Sequence, residues 1–334
     1  MNRLYRIAKN ALRGPARNRG PVTSADLSEV NERAFWLVTA FYLAFIPIAF
    51  RCARNIYADR FLESSPTLLW PVFWVNFTGF EIAASLTAFF LCASTILAVF
   101  FPIRATRALL FLSFLTFSAL ENSFGSINHY MHYIIWLSGI LIFAPTRNHK
   151  QVPKIFGQKA SYAVPVFFAQ FAIAFFYSLS GYWKTLRGFD PASTAVSSFH
   201  PDALPLLVMG RWMQTGNEPL FADFFASNLL VAWPAYLSVI YFELFFIVAL
   251  FRPQVHRLFG VAMGVFHLGV WAVIGITFAF QSMVVVGLFV LSPFAVFDRS
   301  SLREKALQLP LFGDIAALVI HLIKRPVPPA SKRL

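Results

Sequence analysis

The hydrophobic pattern is one of long continuous runs, not of alternation. Eight stretches carry it: 34–50, 77–101, 105–120, 127–144, 161–183, 226–251, 256–274 and 277–297. A helix that crosses a bilayer needs about 20 mostly apolar residues, and most of these runs approach that length. A barrel strand would instead alternate polar and apolar positions over about ten residues, so the runs predict helices. The run at 105–120 is short, and the last two nearly touch at Gly275–Ile276. The expected fold is therefore an all-α polytopic membrane protein with about eight transmembrane helices. A further amphipathic stretch, 302–323, is interrupted by Pro310 and Asp314 and followed by Lys324 and Arg325. It reads as a C-terminal interfacial helix.

Composition strengthens this reading. Of 334 residues, 58% are hydrophobic and only 13% charged, with 40 Phe and 8 Trp. Soluble domains average roughly 45–50% apolar and about 25% charged, and a disordered chain is poorer still in apolar residues. A soluble two-domain protein and a disordered chain are both excluded.

The net charge of +13 gains its meaning from position. With eight spans and a cytoplasmic N-terminus, 22 of the 28 Lys and Arg fall on the cytoplasmic side. The six on the outer side are Arg51, Arg54, Arg60, Lys184, Arg187 and Arg211. Basic loops favour the cytoplasm, so both termini are expected inside. The charge then reports topology and attraction to anionic membrane lipids, with no nucleic acid partner implied. The expected organisation is a basic cytoplasmic segment at 1–33, a transmembrane domain at 34–297 and a cytoplasmic amphipathic tail at 298–334. Residues 1–33 contain no apolar core of the kind a cleavable signal peptide carries. The expected location is a bacterial inner membrane. The outer segment 184–225 is long for an unstructured connection and contains four prolines, so it is a candidate lid or binding loop. Cys52 and Cys92 fall at different expected depths and predict neither a disulfide nor a metal clip.

Ionisable residues inside membrane spans are rare and point to function. Here most lie toward the outer ends, where they could line one outward-opening cavity. Lys184 ends the fifth run. It is either a desolvated general base or a snorkelling helix anchor. His129 and His132 lie three residues apart on one helix face, as a proton-transfer or hydrogen-bonding pair, a metal pair, or interfacial residues bonded to backbone or water. A third ligand would have to come from Glu121, Glu81 or His267, no repeated His box exists elsewhere, and no metal is expected. Glu121 closes the third run and Glu81 sits one turn into the second. His267 lies mid-span, where an interhelical hydrogen bond is the plainest role. Glu243 lies deeper, toward the cytoplasmic half of the sixth run, and pairing with Arg252 or Arg257 is expected. Repeats and paired broken helices of the transporter type are not evident, so a carrier is disfavoured.

Three segments carry a family resemblance. Asn128-His129-Tyr130 before an apolar run, Ser180-Gly181-Tyr182-Trp183-Lys184 after Phe175-Phe176-Tyr177, and Phe266-His267 followed by Gly275, Phe278, Ser292-Pro293 and Phe297 occur in order. They resemble segments of the vitamin K-dependent γ-glutamyl carboxylases. The wider group is the horizontally transferred transmembrane (HTTM) domain superfamily, which includes the SdpB-like proteins of bacterial toxin operons. The likeness covers about residues 34–297. It implies a quinol, vitamin K-like, as the lipid-soluble reactant, with Lys184 as the base that deprotonates it and His129 assisting. His132, His267, Glu81 and Glu121 would be supporting polar residues. The large lumenal domain that holds a propeptide in the carboxylases has no counterpart here, and no Trp follows Lys184 shortly. Propeptide-directed carboxylation is therefore not expected. The expected function is a membrane enzyme acting on a quinol-like substrate at an outward-facing site. The alternative is an SdpB-like maturation or partner factor for an exported peptide, catalytic or not.

Overall fold

A computed structural model describes residues 24–59, 66–125, 129–146, 154–155, 158–159, 161–189, 196–297, 301–313 and 315–316. The described chain is helical. Helix α1 is Ser24–Ala58, α2 Val75–Thr78, α3 Phe80–Phe100, α4 Arg104–Glu121, α5 His132–Leu141, α6 Ala163–Phe189 and α7 Ala203–Thr215. They are followed by α8 Ala222–Ser227, α9 Leu229–Leu244, α10 Phe246–Leu250, α11 His256–Ile274, α12 Ala279–Val285 and α13 Leu302–Leu307. Besides the helices, Lys154–Ile155 and Gln158–Lys159 form a two-residue antiparallel ladder. Four helices are long and apolar enough to cross a membrane: Asp26–Ala58, Phe80–Phe100, Ala163–Phe189 and Pro253–Ile274. The other apolar runs are helical too, but their regular helices are shorter or more polar.

Helix ends follow the local chemistry. Pro102 and Pro253 cannot continue the helices before them. Gly275, at φ +76°, closes α11 in the left-handed region, its N–H bonded to Trp271 O. Helix α13 opens with a capping box between Ser301 and Glu304. Residues 277–297 do not form one regular helix. Helix α12 passes into a π-helical turn at Val286–Val290, and Pro293–Phe297 is 3-10. Residue Gly287 lies in the π turn, where an added Cβ would meet the Phe41 ring at 2.8 Å.

A single large core joins α1, α3, α4, α5, α6, α10, α11 and α12, with Phe45, Phe114, Phe117, Phe246, Phe259 and Phe289 fully buried. A small separate core sits among Leu204, Val208, Ala222, Ala232 and Val273. Outward, the helices present Trp36, Phe77, Phe89, Phe100, Val265 and Leu268. So continuous an apolar exterior has a favourable environment in lipid and not in water.

Long-range hydrogen bonds sort the helix ends into two groups. At one end Asn31 Oδ1 accepts from Ser161 Oγ and Tyr162 N, at 2.9 and 2.8 Å. At the same end, buried Arg107 donates to the carbonyls of Ala144 and Pro145, which also accepts from Tyr162. At the other end Cys52 meets Met131, Tyr130 meets Glu121, and Thr67 N donates to Ser123 O. Arg107 thus satisfies carbonyls left open past the end of α5.

The segment 184–225, expected as a loop, is largely helical where described. Helix α6 continues through Phe189, and α7 and α8 follow. Residues 190–195 lie outside the described residues. Of the C-terminal interfacial stretch, α13 and the residues to 316 except 314 are described; the remainder, and most of the basic segment 1–33, lie outside.

Candidate functional site

A lysine–glutamate contact inside the bundle lies between α6 and the α9–α10 junction. These elements run antiparallel, with Lys184 facing Glu243 and Ser178 facing Ile247. Gly181 sits at the crossing, where an added Cβ would meet Leu244 Cα at 2.7 Å and Glu243 C at 2.9 Å. Only a residue without a Cβ allows so close an approach.

Lys184 Nζ donates to both carboxylate oxygens of Glu243, at 2.7 and 2.6 Å. The Glu243 side chain is 3% exposed and that of Lys184 is 29% exposed. Ser180 Oγ adds a long contact of 3.4 Å to Glu243 Oε2. Lys184 Nζ lies 5.9 Å from the centre of the Phe266 ring, on α11. The helix breaks just after Glu243, at Phe245, and the break is accommodated by side chains. Ser178 Oγ accepts from Ile247 N at 2.9 Å and donates to Glu243 O at 3.2 Å. Backbone groups released by a break need such partners in an apolar surround.

The position of Glu243 corrects the sequence reading. Its carboxylate is held by Lys184, not by Arg252 or Arg257. The close crossing at Gly181 sets this register, bringing Glu243 opposite the C-terminal turns of α6. The run 226–251 is not one continuous spanning helix, and α9 packs along the C-terminal turns of α6. Arg252 instead donates to Gln308 O at 2.9 Å.

One residue before Ser178 on α6, Tyr177 makes a short contact from its hydroxyl to His267 Nε2. His267 is buried, with Nδ1 lacking a hydrogen-bond partner. The rings of Tyr133, Phe246 and Phe278 surround this couple at centroid distances of 5.3–5.5 Å. An interhelical hydrogen bond by His267 is what its mid-helix place predicts.

The two histidines from the fourth run form a different cluster. His129 lies in a 3-10 turn, His129–Met131, directly before α5, which His132 begins. Their Nδ1 atoms are 3.3 Å apart, and His129 is exposed. Gln281 Nε2 donates to His129 O at 3.4 Å. Beside them Tyr130 donates to Glu121 Oε1 at 2.5 Å, while Glu121 Oε2 is buried without a partner. Neither histidine contacts Lys184 among the described residues. Tyr133, adjacent to His132 in sequence, places its ring 5.5 Å from that of Tyr177. Glu81 is exposed in the first turn of α3 and joins neither. Asn128 lies outside the described residues. Among the described residues no three His, Cys, Asp or Glu side chains gather as a metal ligand set.

Sequence reasoning gave Tyr133 and Tyr177 no role of their own and missed the Lys184–Glu243 pairing. A signal existed: Glu243 is the sole carboxylate between Asp223 and Asp298, and Lys184 the sole lysine between Lys159 and Lys305. Two isolated opposite charges in neighbouring apolar helices have few alternative partners.

The class these features define is a helical protein with several helices able to cross a membrane and a Lys–Glu pair whose carboxylate is buried. Comparison narrows it no further: no family model, curated protein or solved structure matches the chain.

Proposed function

We propose that the protein is an integral-membrane enzyme that takes the proton of a lipid-soluble, quinol-like substrate at an outward-facing site built on Lys184. The observation that carries this reading is the Lys184–Glu243 pair in an apolar helix junction, with Lys184 29% exposed, Glu243 3% exposed and an aromatic ring nearby. A phenolic oxygen fits this donor set: an ammonium meets it as it becomes an anion, and aromatic walls accommodate its ring. The resemblance to the carboxylase-like HTTM superfamily adds Lys184 as base, with His129 assisting. His132, His267, Glu81 and Glu121 are the supporting candidates. Eight spans, two cytoplasmic termini and a bacterial inner membrane complete the proposal. The 22-to-6 partition of basic residues supports that orientation.

The test is mass spectrometry of organic extracts from gently purified protein, wild type beside Lys184→Ala and His129→Ala. A quinone retained by the wild type and diminished in Lys184→Ala supports the proposal. Phospholipid alone in all three contradicts it.

A second reading, a maturation or partner factor for an exported peptide, draws on one observation. The segment that follows α6 exposes Leu206, Met213, Leu220, Phe224 and Leu230. Crosslinking of this face to a small exported peptide would favour it.

A further inference from the structure

The Lys184–Glu243 contact places a second group behind the amine, and its geometry says where a substrate proton would come to rest. We infer that Glu243 is the terminal proton acceptor of the site, with Lys184 as the relay between it and a phenolic substrate. This rests on the proposed quinol-type reading and deepens it. Both carboxylate oxygens of Glu243 are engaged by Lys184 Nζ, at 2.7 and 2.6 Å, and the side chain is almost wholly buried. No substrate reaches that carboxylate directly. Lys184, less buried, is the group a substrate can meet. Paired with a carboxylate, Lys184 holds its proton as an ammonium and has no lone pair to offer. It becomes a base only when it first yields a proton along one of those hydrogen bonds.

The transfer balances. Lys184 Nζ passes a proton to a Glu243 oxygen, leaving a neutral amine beside a neutral acid. The amine lone pair then takes the phenolic proton, and the O–H electron pair stays on oxygen. At the end Lys184 is again an ammonium, now paired with the phenolate, and Glu243 carries the proton. Total charge is unchanged, and the pairing of the ammonium moves from Glu243 to the substrate. A charge pair is conserved at each end of the reaction, and an isolated buried charge is avoided. Ser180, 3.4 Å from Glu243 Oε2, remains to orient the acid.

Difference infrared spectroscopy tests this on the full chain in lipid nanodiscs, with a lipophilic nitrophenol as probe and its visible absorbance reporting ionisation. In the wild type, phenolate formation should come with a new protonated-carboxyl band. Glu243→Gln should lose that band, and Glu243→Asp should retain it at a shifted frequency. Glu243→Asp also serves if Glu243→Gln fails to fold. Phenolate formation with no carboxyl band in the wild type overturns the inference, as does a band unchanged in Glu243→Gln; either leaves the Lys184 site standing. Failure of the wild type to bind the phenol removes the site and this inference together.

Discussion

The two polar clusters are built on opposite principles. The His129–His132 pair is local in sequence, formed by one turn, and His129 stands exposed. The Lys184–Glu243 pair joins residues 59 apart, across a helix crossing that Gly181 permits, with the carboxylate enclosed. An exposed pair is screened and contributes little to stability. A buried pair binds the two helices to each other, because removing one partner strands the other in an apolar surround. Motif spacing makes the first conspicuous, whereas the energetic weight lies with the second.

The contrast orders the expected effects of substitution. Lys184→Ala should cost most, about 3 kcal/mol of stability, since it leaves Glu243 buried and unpaired. Unfolding in mixed micelles with denaturing detergent would measure it. Gly181→Ala should follow at about 2 kcal/mol, because its methyl group meets Leu244 and Glu243 backbone at under 3 Å. If the mutant is neutral, the close crossing is wrong. Arg107→Ala, remote from both clusters, should cost about 1.5–2 kcal/mol by stranding the Ala144 and Pro145 carbonyls. Thermal inactivation in detergent reads that loss. His129→Ala should change stability by less than about 0.5 kcal/mol, as exposed positions usually do. A large destabilisation there would erase the distinction between the clusters.

Much of the helical layout was legible because helix ends carry chemical marks. The run 105–120 became Arg104–Glu121, and 256–274 became His256–Ile274 with Gly275 in the left-handed cap. The break at Phe245 was not legible. No Gly or Pro marks it, and the run stays apolar through it, so hydropathy reads α9 and α10 as one span. The register of α9 against α6 was equally hidden, so Glu243 was assigned the wrong partner. The π turn at Val286–Val290 contains Gly287, but a lone glycine in an apolar run does not by itself mark a change of helix type. Helix α7 was masked by prolines, which suggested a loop although Pro205 falls within its first turn, where proline is tolerated. Lys184 was legible as a candidate from its isolation in an apolar setting, but its partner depends on a crossing between two helices that sequence spacing does not encode.

The most direct measurement is a double-mutant cycle on Lys184→Met and Glu243→Gln, with stability read by unfolding in micelles. If the pair holds α6 to α9, the double variant should be more stable than the sum of the single losses allows, by at least about 1.5 kcal/mol. Additivity within about 0.5 kcal/mol would mean that the two residues do not interact, and the proposed site would fall with the pair.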